Sequence, residues 1–181
     1  MKIALLSLMF LLGVPTIEVE GVQFERSLKS ANQNLRLAGA SGFTYALIFD
    51  VLSGAIYLPE GTQPRDFPIA TDKALVLSYK RSFSAEELRE VTSNLFRRNT
   101  PVTLVKEVEE DLQAFNALYQ DIQPGDRYRL TLSQGQGLEL SLNGQPIGSV
   151  KSPKFGMAVF NIWFGENPFN SSFRDQLLKG I

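Results

Sequence analysis

Cysteine and histidine are both missing from the 181-residue chain. Without cysteine there is no thiolate nucleophile, disulfide, cysteine metal site or lipid-anchor cysteine. Without histidine the chain lacks the commonest general base and the commonest metal ligand. Any catalysis would have to rest on carboxylates, tyrosine, lysine, arginine or positioning alone. An excess of charge of either sign is missing too. A formal net charge of -1 provides no basic field, so nucleic acid is not an expected partner. No glycine-rich phosphate loop, zinc-ligand spacing or nucleophile elbow occurs, and neither a cofactor nor a metal is expected.

The apolar content of 44% is that of a globular chain, and the length suits one domain with a real core. Met1-Lys2 followed by Ile3 to Val14 has the form of a secretory leader, a short basic end and then an apolar core of about a dozen residues. We expect residues 1–16 to be a signal peptide and residues 17–181 to be the mature domain, exported to a periplasmic or extracellular compartment. The longest apolar run beyond that leader is Phe43 to Pro59, FTYALIFDVLSGAIYLP. It is shorter than the roughly 20 apolar residues of a membrane span, and β-branched and aromatic residues dominate it. It reads as one long buried strand, bent near Ser53-Gly54, and no stable span is expected in the mature chain.

Around it the pattern alternates between strands and helices. Ile17 to Phe24 reads as a short half-exposed strand, and Leu35 opens another. Ala38 to Gly42 is small enough for a turn, and Ala74 to Tyr79 is a further strand. Ser84 and Glu87 form a capping box for a helix whose apolar face carries Leu88, Val91, Leu95 and Phe96. A second helix is expected from about Thr103, striped by Val108, Leu112, Phe115 and Tyr119. Arg127 to Val150 then alternates as a three-stranded meander, with Asn143-Gly144 as a two-residue turn. Ser152-Pro153 caps a largely buried helix, and Ser171 to Lys179 forms a last short one ending at Gly180. Strands in hairpin order with interposed and terminal helices imply an α+β fold, a large antiparallel sheet with helices over one face.

Chemistry-bearing residues are scattered. Glu107, Glu109, Glu110 and Asp111 suit the start of a helix, and Arg97-Arg98 suit the end of one. Asn170-Ser171-Ser172 matches a glycosylation acceptor but sits where a turn is expected. Asp50 is the single acid in the buried-looking run, placed as an edge or paired carboxylate. Trp163, flanked by apolar residues, reads as core.

The order and spacing of several loose motifs carry a resemblance. They are Gly39 to Pro59, the capping-box helix, the Asn143-Gly144 meander, and Ile162-Trp163-Phe164-Gly165-Glu166 with Pro168. Over roughly Val19 to Gly180 the chain resembles the chalcone isomerase-like family, in particular its exported bacterial branch. The resemblance implies an open-faced β-sandwich. It also implies one of two activities, ring closure by an intramolecular lyase or non-catalytic binding of fatty acids. In both branches an arginine at the start of the long strand meets the ligand's oxygen. That position falls here on Thr44, beside Phe43. The hydroxyl-bearing position eight residues on falls on Leu52, the threonine of the C-terminal motif falls on Ile162, and Asn94 is the counterpart on the first helix. In an unbroken strand Thr44, Ile48 and Leu52 would share one face.

The resemblance thus implies a ligand site at Thr44, Ile48, Leu52, Asn94 and Ile162 with the polar equipment replaced by apolar side chains. Small Ala46 and Gly54 would leave room beside Ile48, Leu52 and Ile56. The first expectation is a non-catalytic exported protein whose partner is a fatty-acid-like or other apolar small molecule. A carboxylate clamp would need Arg36 or another arginine to fold in. The alternatives are an envelope module that binds a protein partner, with a filled cleft and an exposed apolar patch, and an intramolecular lyase. No feature of the chain sets an oligomeric state.

Overall fold

The structure, a computed structural model, describes residues 15–45 and 49–181, with the side chains of 45, 49 and 50 outside that description. The leader expected over residues 1–16 falls outside it up to residue 14. Ile48, Ala46 and the side chain of Asp50 also lie outside the described residues.

Among the described residues nine strands and five α-helices follow one another as β1 (Thr16–Val19), β2 (Val22–Glu25), β3 (Ser27–Lys29), β4 (Asn34–Tyr45), β5 (Phe49–Pro59), β6 (Lys73–Tyr79), α1 (Ala85–Arg98), α2 (Val102–Glu107), α3 (Glu109–Asn116), β7 (Arg127–Ser133), β8 (Gly137–Leu142), β9 (Gln145–Val150), α4 (Pro153–Phe164) and α5 (Ser171–Lys179). Strands β3 to β9 form one seven-stranded antiparallel sheet in sequence order, and β1–β2 form a separate hairpin. The fold is α+β, as the order of elements implied. No helix among the described residues is long and apolar enough to cross a membrane.

Period-two alternation explains the layering. Leu52, Ile56 and Leu58 of β5, with Leu75, Leu77 and Tyr79 of β6, enter a large core shared with the helices. The alternate residues Ala55, Tyr57, Ala74 and Val76 enter a smaller cluster on the opposite face, packed with Phe24 and Leu35. The β1–β2 hairpin covers that second face, and Tyr57 Oη donates to the Glu25 carbonyl at 2.9 Å. Both central strands are therefore buried on two sides.

Four sequence expectations change. The apolar run from Phe43 to Pro59 is not one bent strand. It is the end of β4 and all of β5, paired antiparallel with Thr44 opposite Asp50 and Phe43 opposite Leu52. A run apolar throughout cannot announce a reversal, because both arms face the same core. Ala38 to Gly42 is not a turn but the middle of β4. Its small residues serve α5, since a Cβ on Gly39 would lie 1.9 Å from the Leu177 carbonyl oxygen. Ile17 to Phe24 is a hairpin rather than a strand. Glu20 and Gly21, at φ 49° and 77°, make the two-residue turn. The second helix breaks at Val108, φ -112° and ψ 20°, into α2 and α3.

The local signals that depended on neighbours in sequence hold. Ser84 Oγ accepts from the Glu87 amide at 3.2 Å, and Glu87 Oε2 accepts from the Ser84 amide at 2.8 Å. Asn143 and Gly144, at φ 51° and 81°, turn β8 into β9. Ser152 caps α4, and Asn170, the acceptor-like residue, caps α5 through its Oδ1 to the Phe173 amide at 2.8 Å. Of the acids, Glu109 pairs with Arg97 at 2.6 Å and Glu107 with Lys154.

One buried cation stands apart from these surface pairs. Lys73, at the start of β6, is fully buried. Its Nζ donates to the carbonyls of Phe67 at 3.1 Å and Pro68 at 2.9 Å and lies 4.6 Å from the ring centre of Phe160. It clasps the loop before β6 to α4. Burial pulls its pKa down to about 7 from the 10.5 of the free side chain. Between those two values the unfolded chain binds more protons than the folded one, so stability rises with pH across that window.

Two stability measurements follow. Gly39→Val should cost about 2–3 kcal/mol in urea unfolding, because a packed helix carbonyl blocks the new side chain; a neutral result would mean that α5 seats elsewhere. Between pH 7 and 9 the wild type should gain about 1–2 kcal/mol relative to Lys73→Met, and parallel profiles for the two proteins would exclude a buried amine with a depressed pKa.

Candidate functional site

The helix layer does not close over the whole sheet. Between it and the ends of β4, β5 and β6 lies a cavity of about 710 Å³. Its floor is Leu52, Leu77 and Tyr79, with Tyr128 and Leu130 beyond. α1 supplies Leu88, Val91, Thr92 and Leu95 as one wall, and α4 supplies Ile162 and Trp163. Phe43 and Phe169, with ring centres 4.7 Å apart, close the β4 side. Arg81, Ser82, Glu87 and Val91 are exposed and form the mouth.

A register shift builds the β4–β5 end of this cavity. Phe43 pairs with Leu52 and Thr44 with Asp50, so Val51 is left over as a bulge. A bulge re-aims side chains locally. That accounts for the adjacent pairs Phe43–Thr44 and Val51–Leu52 all lining the same space. Thr44 and Leu52 do not share one face of a single unbroken strand, yet both border this cavity. They meet because the chain doubles back between them.

Thr44, Leu52 and Ile162 therefore come together at the cavity. Ile48 lies outside the described residues. Asn94 is exposed on α1 and does not line the cavity, whose α1 wall is made by Leu88, Val91, Thr92 and Leu95. Val91 is already the exposed edge of that stripe, and Asn94, about 60° further round the helix, falls on its solvent side. The room expected beside Gly54 is taken, since a Cβ there would meet the Phe173 ring at 2.5 Å. Arg36 pairs with Glu60 at the opposite end of β4, opposite Leu58, so it cannot clamp a ligand here. The arginine at the cavity is Arg81, at the mouth.

Sequence reasoning missed the tyrosines. Tyr79, Tyr119 and Tyr128 all line the cavity and are all buried. Tyr79 and Tyr128 meet edge to face with centres 6.2 Å apart, and Tyr119 and Tyr128 at 5.4 Å. Thr92 Oγ1 donates to Tyr119 Oη at 3.0 Å. Tyr128 Oη donates to the Gln120 carbonyl and accepts the Gln120 amide, at 3.1 and 2.9 Å. Burial pushes the Tyr79 and Tyr119 hydroxyls upward, so both stay protonated at any ordinary pH. Alternation of Leu75, Leu77 and Tyr79 along β6 was the signal that could have found the first of them. No cluster of metal-ligating side chains exists among the described residues.

The chemical capacity of this arrangement is narrow. It offers a mostly apolar volume, neutral hydroxyls inside and a guanidinium at the rim. The profile of the chalcone isomerase-like family matches residues 16–179. The chain belongs to the chalcone isomerase-like family. Fatty-acid-binding protein 1 of Arabidopsis thaliana is 32% identical over 73 residues, 39% of this chain. That segment spans about a quarter of the curated relative's length, 26%. The crystal structure of an Arabidopsis thaliana fatty-acid binding protein superposes with a TM-score of 0.65 at 19% identity, covering 91% of this chain and 96% of that one. At that identity the likeness concerns the fold, which is the family's own: an antiparallel sheet under a helical layer.

Removing the Thr92 hydroxyl tests whether the α1 wall is tied to Tyr119 as described. Thr92→Val should lower stability by about 1 kcal/mol in urea unfolding while leaving the fold intact by circular dichroism; no change would mean that the hydroxyl pair contributes nothing to holding α1.

Proposed function

We propose that the protein binds an apolar, fatty-acid-like molecule in this cavity and performs no chemistry on it. One observation carries the reading: about 710 Å³ of space, floored and walled by Leu52, Leu77, Leu88, Leu130 and Ile162, lies where the resemblance placed the ligand. Sites for small molecules run from about 300 to 1,000 Å³ and are mostly apolar with a few placed polar groups. The similarity to an Arabidopsis fatty-acid-binding protein supports the same ligand class.

The lyase alternative is weaker on chemical grounds. Developing enolate charge needs a fixed donor or cation where it forms. Leu52 and Ile162 are apolar, and Arg81 is exposed at the rim. The partner-module alternative expected a filled cleft and a contiguous apolar patch. Here the cleft has volume, and among the described residues the large exposed apolar side chains are Val91 at its mouth, Val102 at the start of α2, and Ile69 and Ile181 outside any strand or helix. Export belongs to the same proposal, supported by Lys2 and the apolar run after it.

Native mass spectrometry of protein isolated from its own compartment should detect a co-purifying long-chain molecule, extractable into organic solvent. Leu88→Trp, which fills the cavity from the α1 wall, should reduce its occupancy at least tenfold. A wild-type protein that is consistently empty, and stays empty when offered long-chain lipids, would sink the proposal.

A further inference from the structure

Among the hydroxyls around the cavity a single one is left over, and beside it only the indole N–H of Trp163, another neutral donor, lacks a partner among the described residues. At the mouth, Ser82 Oγ donates to Gln123 at 2.8 Å, Glu87 is held in the capping box, and Asn170 caps α5. Thr44 and Arg81 are each engaged by neighbours. Inside, Thr92 and Tyr119 satisfy one another and Tyr128 is held by Gln120. Tyr79 is 8% exposed, lines the cavity and makes no hydrogen bond through its hydroxyl to any described residue. Nor is its oxygen among the sealed polar atoms that lack a partner, so it opens onto the cavity rather than into packed core.

A buried phenol without an acceptor is costly. The ring itself cannot swing away to find one. It is wedged edge to face between Tyr128 at 6.2 Å and Phe83 at 5.8 Å. Because burial holds this hydroxyl protonated, what it offers is a donor, fixed in direction by its packing.

Resting on the apolar-ligand reading above, we propose that Tyr79 is the polar recognition point of the cavity and that the ligand is an uncharged oxygenated chain, such as an ester, alcohol or ketone. The discrimination is physical. A carboxylate brought to Tyr79 would be buried against neutral hydroxyls, with the nearest lining guanidinium, that of Arg81, out at the exposed mouth. An unpaired buried charge is far more costly than a buried carbonyl or hydroxyl that gains one hydrogen bond. A ligand oxygen at this point removes the cost of the unmet donor and adds direction to an otherwise greasy volume.

The test uses a matched twelve-carbon series on the purified chain: dodecane, 1-dodecanol, methyl laurate and laurate at pH 7.5. 1-Dodecanol and methyl laurate should bind at least tenfold more tightly than laurate. Tyr79→Phe, which keeps the ring and its packing, should weaken both by about three- to tenfold and leave dodecane unchanged. The wild-type ranking stands as a separate readout should the variant fold poorly. Tighter binding of laurate, or no effect of Tyr79→Phe on the two neutral oxygenated chains, overturns the assignment while leaving the apolar-ligand reading in place. Binding of none of the four overturns both.

Discussion

Burial of β5 and β6 on both faces is the constraint from which the rest of the architecture follows. Once Leu52, Ile56 and Leu58 go one way and Ala55 and Tyr57 the other, the sheet needs a cover on each side. The β1–β2 hairpin is the thin cover, and five helices form the thick one. Where helix and sheet come closest, the chain carries its smallest residues. Gly39 admits the α5 backbone, and Gly54 admits the Phe173 ring. Bulk elsewhere on the sheet holds the helices off. The cavity is therefore a product of uneven cover, closed beneath α5 and open beneath α1 and α4.

The bulge at Val51 sets the shape of that opening. A regular pairing of β4 with β5 would send Phe43 and Thr44 to opposite faces, as it would Val51 and Leu52. The shift lets both pairs border one space. Lys73 fixes the far side by tying the loop before β6 to Phe160 of α4, the helix that also carries Ile162 and Trp163. Packed aromatics with locked hydroxyls line the interior, so little of this wall can collapse into the void. That resistance is why the volume persists.

What was legible in the sequence was whatever is decided locally. The capping box at Ser84, the Asn143-Gly144 turn and the Ser152-Pro153 start of α4 each depend on residues within a turn of one another, and each is found in place. What was not legible depends on partners far along the chain. Nothing near Gly39 says that Leu177 will lie against it, so a run of small residues read as a turn. The reversal between β4 and β5 is hidden because both arms are apolar for the same reason. For the site, the positions Thr44, Leu52 and Ile162 came from resemblance and do converge. Asn94 came from the same source and faces outward. The tyrosines escaped because a tyrosine in an apolar pattern reads as core until the cavity beside it is seen.

The missing residue types and the cavity's interior lead to one consequence. A site meant to turn over a substrate must bind the transition state better than the ground state, which requires groups that respond to charge as it develops. With no histidine in the chain and Leu52 and Ile162 at the cavity wall, the interior offers tyrosine hydroxyls that stay neutral, one of them unengaged. Such groups stabilise a neutral oxygen as well before any reaction as during one. Binding of that kind is uniform and holds a molecule without changing it. On the binding proposal, the groups around the cavity serve recognition alone.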